Sequence, residues 1–263
     1  MNGLDHLYIY SPLLFVFLAA TFNWLMTFLG ASLICFVKTE SKKLVSIALG
    51  SSAGIMIAAS FFSLLLPAKE RLEGLNTFYL LIIPIGFLCG VLFLKVTDFF
   101  FPHEHALIHE QEEKYLKNKV LMFAMTLHNI PEGLAVGVAF AGVVNNNYLP
   151  ALILSIGIGI QNFPEGTAVA LPMHQCGRSK KSSIMYGQFS GLVEIPSAIL
   201  GFLFASFLDG LLPFALSFAA GAMVFVCVQE LIPEASNASK KDLGSFAFVI
   251  GFIVMMSLDI LLS

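Results

Sequence analysis

The chain has 263 residues, 57% of them hydrophobic and only 12% charged, against about 25% charged in a typical soluble domain. That balance excludes disorder, argues against a soluble globular fold and leaves a polytopic membrane protein, for whose lipid-facing helices 26 Phe residues are well suited. A formal net charge of −3 offers nucleic acid nothing to bind, and the four scattered cysteines include no CxxC pair, which argues against a disulfide framework or a thiolate zinc cluster.

A bilayer-spanning helix needs about 20 mostly apolar residues. In chain order, such stretches fall at roughly 12–37, 45–68, 78–100, 119–143, 149–174, 183–206, 211–235 and 242–262. The expected fold is therefore an all-α polytopic membrane protein with eight transmembrane helices. The runs are too long and too continuous for the alternating strands of a membrane β-barrel. Connections are short except at 101–118, so residues 1–263 read as a single transmembrane domain. The N-terminus has neither a basic n-region nor an AxA-like cleavage site, and no signal peptide is expected.

Orientation follows from Lys and Arg. The loops after spans 1, 3, 5 and 7, with adjoining span ends, hold Lys38, Lys42, Lys43, Lys114, Lys117, Lys119, Arg178, Lys180, Lys181, Lys240 and Lys241. The other side holds Lys69 and Arg71. This bias predicts extracytoplasmic N- and C-termini and a cytoplasmic 101–118 loop in a multi-pass protein of the plasma or inner membrane.

Spans 2 and 7 share a pattern. Ala53-Gly54-Ile55-Met56 precedes Leu66-Pro67-Ala68, and Ala220-Gly221-Ala222-Met223 precedes Ile232-Pro233-Glu234-Ala235, with the prolines out of register by one residue. The two spans cross in opposite directions under this topology. That is the sign of an inverted repeat, spans 1–3 against spans 6–8, around a central pair of spans 4 and 5. Small residues and prolines also recur in membrane bundles without such a repeat.

A carboxylate at the bilayer centre costs about 2.5–3.5 kcal/mol on insertion scales. Glu132, Glu165 and Glu194 nevertheless fall inside spans 4, 5 and 6. At about 1.5 Å per residue, each lies roughly 17–24 Å from its span start, a common depth at which they can converge. Two of them lie fifth in matching hexapeptides, His128-Asn129-Ile130-Pro131-Glu132-Gly133 and Gln161-Asn162-Phe163-Pro164-Glu165-Gly166. On a helix the first and fifth positions lie about 40° apart, and the second and fifth about 60° apart on the other side. Each Glu thus has two polar partners on its own face and could share one metal with each. Any one of these residues alone could be a packing or hydrogen-bonding group; a duplicated pattern with a third Glu at the same depth favours a metal site. One His, three Glu and three amides suit a borderline divalent cation. The set lacks thiolate, so copper(I) is not expected, and Met56 and Met223 read as packing residues.

At these motifs the sequence resembles the ZIP (Zrt-, Irt-like protein) family of divalent metal transporters, in particular its bacterial GufA-like branch. The resemblance covers nearly the whole chain. It implies uptake of Zn²⁺ and related cations (Cd²⁺, Fe²⁺, Mn²⁺) toward the cytoplasm as transported substrate, with no prosthetic group, through a site between spans 4, 5 and 6. It also implies that His128, Glu132, Gln161 and Glu165 form a first metal position. Asn129, Asn162 and Glu194, bridged by Glu132 and Glu165, form a second. Some members have Asp where this chain has Asn162, so the second position here has one negative charge fewer. Members of the family often form homodimers, which the apolar surface permits without demanding.

The 101–118 loop carries His103, His105 and His109 among Glu104, Glu110, Glu112 and Glu113. Such a tract can capture metal, and equally serves as a solvated polar loop. The alternative function is an intramembrane metal-dependent enzyme, but neither Glu-x-x-His nor His-Glu-x-x-His occurs.

Overall fold

The computed structural model describes residues 11–36, 42–100, 110–143, 147–207, 209–238 and 242–262, and among them it holds helices and no strand. Helix α1 (Pro12–Ser32) ends in a 3-10 turn, Leu33–Cys35. Helix α2 (Lys42–Ala59) continues through a π-helical segment, Ser60–Leu65, into the short α3 (Leu66–Glu70). A second 3-10 turn, Thr77–Leu81, leads into α4 (Ile82–Phe100). The two hexapeptides lie on α5 (Glu110–Ala141) and α6 (Leu149–Gln175). Two shorter helices follow, α7 (Lys180–Leu192) and α8 (Glu194–Phe207). Then α9 (Leu212–Val226) passes through a π segment, Cys227–Leu231, into α10 (Ile232–Ala238), and α11 (Leu243–Leu262) closes the chain.

Six helical columns among the described residues are long and apolar enough to cross a membrane: Pro12–Cys35, Lys42–Glu70, Thr77–Val96, Lys180–Ser206, Leu212–Ala238 and Leu243–Leu261. They make the chain a multi-pass membrane protein. The remaining two expected spans correspond to α5 and α6, whose apolar runs are interrupted by the hexapeptides. Helix α5 also begins earlier than expected, at Glu110 rather than near 119. The second half of the expected 101–118 loop is thus helical. Its Glu, Gln, Lys and Leu residues are good helix formers, and acidic residues suit a helix N-terminus. Residues 101–109, with the three loop histidines, lie outside the described residues.

Prolines explain three departures from plain helices. The expected span 183–206 is divided at Val193. Pro196 has no N–H to donate to the carbonyl of Leu192, so the first helix ends there and Pro196 falls in the first turn of the next, where it is tolerated. The break places Glu194 at the first position of α8. In spans 2 and 7 the proline stands second in the helix that follows the π segment. The π segment has six residues in one column and five in the other. That difference accounts for the one-residue offset between Pro67 and Pro233.

The columns pack in four principal pairs: α2 with α11, α9 with α4, α1 with α6, and α5 with α8. Glycine permits the closest of these approaches. A Cβ on Gly166 of α6 would strike the carbonyl of Thr27 on α1, and one on Gly137 of α5 would strike that of Ala198 on α8. The columns Lys42–Glu70 and Leu212–Ala238 are the most buried, and Thr77–Val96 and Leu243–Leu261 the least. The latter two turn Ile85, Leu88, Val249 and Ile250 outward. Buried Met56, Met125, Phe140 and Ile158 form the core between them.

Candidate metal site

The polar residues of the hexapeptides converge in the interior. Asn129, Glu132, Gln161, Asn162, Glu165 and Glu194 are each at most 3% exposed. Helices α5 and α6 pass through Pro131 and Pro164 without a break, so each motif keeps its helical face. The carboxylate of Glu132 lies within electrostatic reach of both Glu165 and Glu194. The side chain of His128 is outside the described residues.

Two amide–carboxylate pairs organise the cluster. Gln161 Nε2 donates to Glu132 Oε1 at 2.6 Å and joins α6 to α5. Asn162 Nδ2 donates to Glu194 Oε1 at 2.7 Å and joins α6 to α8. Neighbouring positions on α6 thus reach different helices, as the 100° turn per residue requires. Asn129 Nδ2 donates to the carbonyl of Ser190, on α7, at 2.6 Å.

What stays unsatisfied matters more. Asn129 Oδ1, Glu132 Oε2, Gln161 Oε1, Asn162 Oδ1 and Glu194 Oε2 are buried with no hydrogen-bond partner among the described residues. An orphaned buried polar atom costs about 1–3 kcal/mol, more when charged. Five acceptor oxygens on neighbouring helices form a set able to coordinate a cation. Oxygen donors of this kind serve hard to borderline metals. Among the described residues no group of three or more His, Cys, Asp or Glu is placed to hold an ion by itself. The amide oxygens of Asn129, Gln161 and Asn162 stand beside the carboxylates as further donors.

Three contributors escape the motif reading. Ser52 on α2 donates through Oγ to Glu165 Oε1 at 2.5 Å. Asn23 on α1 accepts from Asn162 Nδ2 through its backbone carbonyl at 3.3 Å. Its side-chain Oδ1 accepts from Ser155 at 3.3 Å. Cys227, in the second π segment, is fully buried, with Sγ 3.7 Å from Met56 Sδ. It lies within electrostatic reach of Glu165 and Glu132. Asn23 could have been noticed as a polar residue inside an otherwise Leu- and Phe-rich span, and Cys227 as a thiol near the middle of span 7. Ser52, within the run Gly50-Ser51-Ser52-Ala53-Gly54, has no distinguishing signal.

Comparison with known proteins agrees with the motifs. A family described as "ZIP Zinc transporter" matches residues 104–259. "Zinc transporter ZIP11" of Bos taurus is 33% identical over 334 residues, covering 95% of this chain and 98% of the relative. "Zinc transporter GufA" of Myxococcus xanthus is 38% identical over 239 residues, covering 89% and 93%. "Zinc transporter ZIPB" of Bordetella bronchiseptica is 34% identical over 239 residues, covering 89% and 76%. These likenesses extend well beyond the two hexapeptides, and the relatives' printed names describe transporters rather than enzymes. The chain belongs to the ZIP zinc transporter family.

Proposed function

We propose that this protein carries Zn²⁺ and related divalent cations across the membrane, toward the cytoplasm, through the cluster between α5, α6 and the α7–α8 column. The observation that carries this reading is the set of five buried, unsatisfied oxygens on Asn129, Glu132, Gln161, Asn162 and Glu194. Buried oxygens without a hydrogen-bond partner among the described residues are suited to an ion that arrives and leaves. The names of the relatives, each a zinc transporter, point the same way. Cd²⁺, Fe²⁺ and Mn²⁺ are further candidate cargo by donor chemistry.

The site is read as binuclear. The pairing of Gln161 with Glu132 supports a first position, completed by His128 and Glu165. The pairing of Asn162 with Glu194 supports a second, completed by Asn129. Eight membrane crossings within one domain, residues 1–263, with both termini outside, form the framework. An inverted repeat of spans 1–3 and 6–8 is supported by reciprocal close approaches. Gly54 meets Phe248 as Gly221 meets Phe87, and Gly251 meets Ser51 as Gly90 meets Phe218. These four contacts all join one half to the other, and exchanging the halves turns each pair into its counterpart. A homodimer is compatible with the outward apolar residues of α4 and α11, and the 101–118 segment is read as a cytoplasmic metal-capturing tract.

The test is metal uptake by proteoliposomes containing the purified chain. Uptake of Zn²⁺ above protein-free liposomes is the expected result; tight Zn²⁺ binding without any flux would overturn transport and leave a binding protein.

A further inference from the structure

One buried polar atom at the cluster has the opposite sense to the rest. Asn129, Glu132, Gln161, Asn162 and Glu194 each leave an acceptor oxygen without a hydrogen-bond partner, whereas Asn23 on α1 leaves a donor, Nδ2. It is the only buried side-chain amide nitrogen so left among the described residues. Asn23 is fully buried, and hydrogen bonds fix its place beside the second position. Asn162 Nδ2 donates to Glu194 Oε1 at 2.7 Å and to the backbone carbonyl of Asn23 at 3.3 Å, so one amide touches both residues. The Asn23 side chain reaches α6, where its Oδ1 accepts from Ser155 Oγ at 3.3 Å. Ser155 stands two helical turns before Asn162, on the same face of α6. The unpartnered amide nitrogen is near enough to Glu194 to act on its carboxylate, yet closes no hydrogen bond with it.

The oxygen and nitrogen of a carboxamide exchange places when χ2 turns by about 180°, a soft, roughly two-fold torsion. The Ser155 hydroxyl is both donor and acceptor, so it can hold the carboxamide either way round. In the observed orientation Ser155 donates to Oδ1. After the turn Nδ2 donates to Ser155, and Oδ1 takes the place of the unpartnered nitrogen. The oxygen then joins the five acceptor oxygens of the cluster. We propose that Asn23 is a ligand of the second metal position, contributed by the first helix, and that its carboxamide turns over as a cation arrives, giving Oδ1 to the ion and N–H to Ser155. This rests on the reading of the oxygen cluster as a metal site, and it brings into that site a helix that carries neither hexapeptide. Coordination through a carboxamide oxygen breaks no bond to hydrogen, so no proton is released at this residue. A position held by Asn23, Asn129, Asn162 and Glu194 draws on oxygen alone, which suits hard to borderline divalent cations.

The test is calorimetric titration of the full chain in detergent with Zn²⁺ alone, paired with zinc-soaked crystals. Asn23→Ala is expected to weaken the second of two binding steps about tenfold, the lower end of what losing a supporting metal-site group costs, and to leave the first step unchanged. Ser155→Ala breaks the same link between α1 and α6 but keeps the carboxamide, and is expected to bind like the unaltered chain. Asn23→Asp, with oxygen at both ends of the side chain, is expected to bind at least as tightly as the unaltered chain. In the crystals Asn23 Oδ1 should stand about 2.0–2.2 Å from the second ion, the ordinary zinc–oxygen distance. An unchanged second step in Asn23→Ala, an equal loss in Ser155→Ala, or a second ion with Asn23 Oδ1 still on Ser155 overturns the proposal. Should Asn23→Ala not fold, Asn23→Asp and the crystals decide, and weaker binding by Asn23→Asp overturns it as well. Failure of the underlying reading looks different: the unaltered chain then binds no Zn²⁺ among these residues. Binding without flux into liposomes would end the transport reading and leave this ligand to be decided by the titration.

Discussion

Gln161 and Glu132, from different hexapeptides, meet in a 2.6 Å hydrogen bond that ties α6 to α5. The bond uses the amide nitrogen of Gln161 and one oxygen of Glu132, and leaves Glu132 Oε2 and Gln161 Oε1 without a hydrogen-bond partner among the described residues. Removing either partner therefore changes both the helix contact and the donor set. Gln161→Ala should lower Zn²⁺ uptake by about tenfold, the scale at which loss of one supporting group weakens a metal site. Glu132→Ala should lower it further, because a carboxylate is lost rather than a neutral amide. Initial rates of radiozinc uptake at matched protein content would check this order; equal rates for Gln161→Ala and the unaltered protein would remove Gln161 from the site.

Ser52 tests whether α2 takes part in shaping the cluster. Its hydroxyl donates to Glu165 Oε1 at 2.5 Å, and a hydrogen bond to a charged group contributes about 1.5–3 kcal/mol. Ser52→Ala should weaken Zn²⁺ binding by roughly tenfold or more, the equivalent of at least 1.4 kcal/mol. Ser52→Thr, which keeps the hydroxyl, should recover part of the loss. Isothermal titration of the detergent-solubilised protein distinguishes the two, and identical affinities for Ser52→Ala and the unaltered chain would reduce the contact to packing.

The sequence makes the hexapeptide residues legible because their geometry is local. A helix has a fixed turn per residue, so the spacing of Gln161, Asn162 and Glu165 already places them on one face. The break at Val193 was equally available in Pro196, which lacks the N–H a continuous helix needs, but the hydrophobic run conceals it. Ser52, Asn23 and Cys227 are different. Each reaches the cluster only through tertiary packing, from α1, α2 or the second π segment, and no local period announces it. The start of α5 at Glu110 is hidden for another reason: hydropathy marks where apolar residues begin, whereas a helix can extend past them through charged residues of good helical propensity.

Close helix contacts give a prediction about stability. Gly166 on α6 stands against the backbone of Thr27 on α1, where an added Cβ meets a carbonyl that cannot rotate away. Gly166→Val should destabilise the protein by about 1–3 kcal/mol or more, as overpacking a tight interior does. Gly210 has nothing within 4 Å of the corresponding Cβ position, and Gly210→Ala should leave stability nearly unchanged. Thermal unfolding in detergent compares them; a Gly166→Val protein as stable as Gly210→Ala would mean that α1 and α6 are not so closely packed.

Topology can be checked independently of metal. Eleven Lys and Arg residues fall on one side of the expected crossings and two on the other, which predicts both termini outside. A cysteine-reactive, membrane-impermeant reagent applied to intact cells should label single cysteines introduced at Ser11 and Ser263 in a cysteine-free background. Labelling at Ser11 but not at Ser263 would mean an odd number of crossings and would remove the eight-span arrangement.

The two-position site yields the most discriminating pair of variants. Glu165 is proposed to touch both positions, and Glu194, from α8, only the second. Glu165→Ala should therefore nearly abolish uptake and reduce bound Zn²⁺ at both. Glu194→Ala should empty the second position and leave the first occupied. Asn162 sharpens the contrast, because it is neutral and its Nδ2 already donates to Glu194 Oε1 at 2.7 Å. Once Glu194 is removed, the second position keeps only neutral amides of its own, beside the bridging carboxylates. The first retains Gln161 with Glu132 and Glu165. Crystals soaked in Zn²⁺ and measured at the zinc edge would resolve the positions separately. Two anomalous peaks in the unaltered protein, one in Glu194→Ala and none in Glu165→Ala is the expected series. A single peak beside Glu132 and Gln161 in the unaltered protein at saturating Zn²⁺ would make the site mononuclear, and no peak near any of these residues would remove the metal site from this part of the protein.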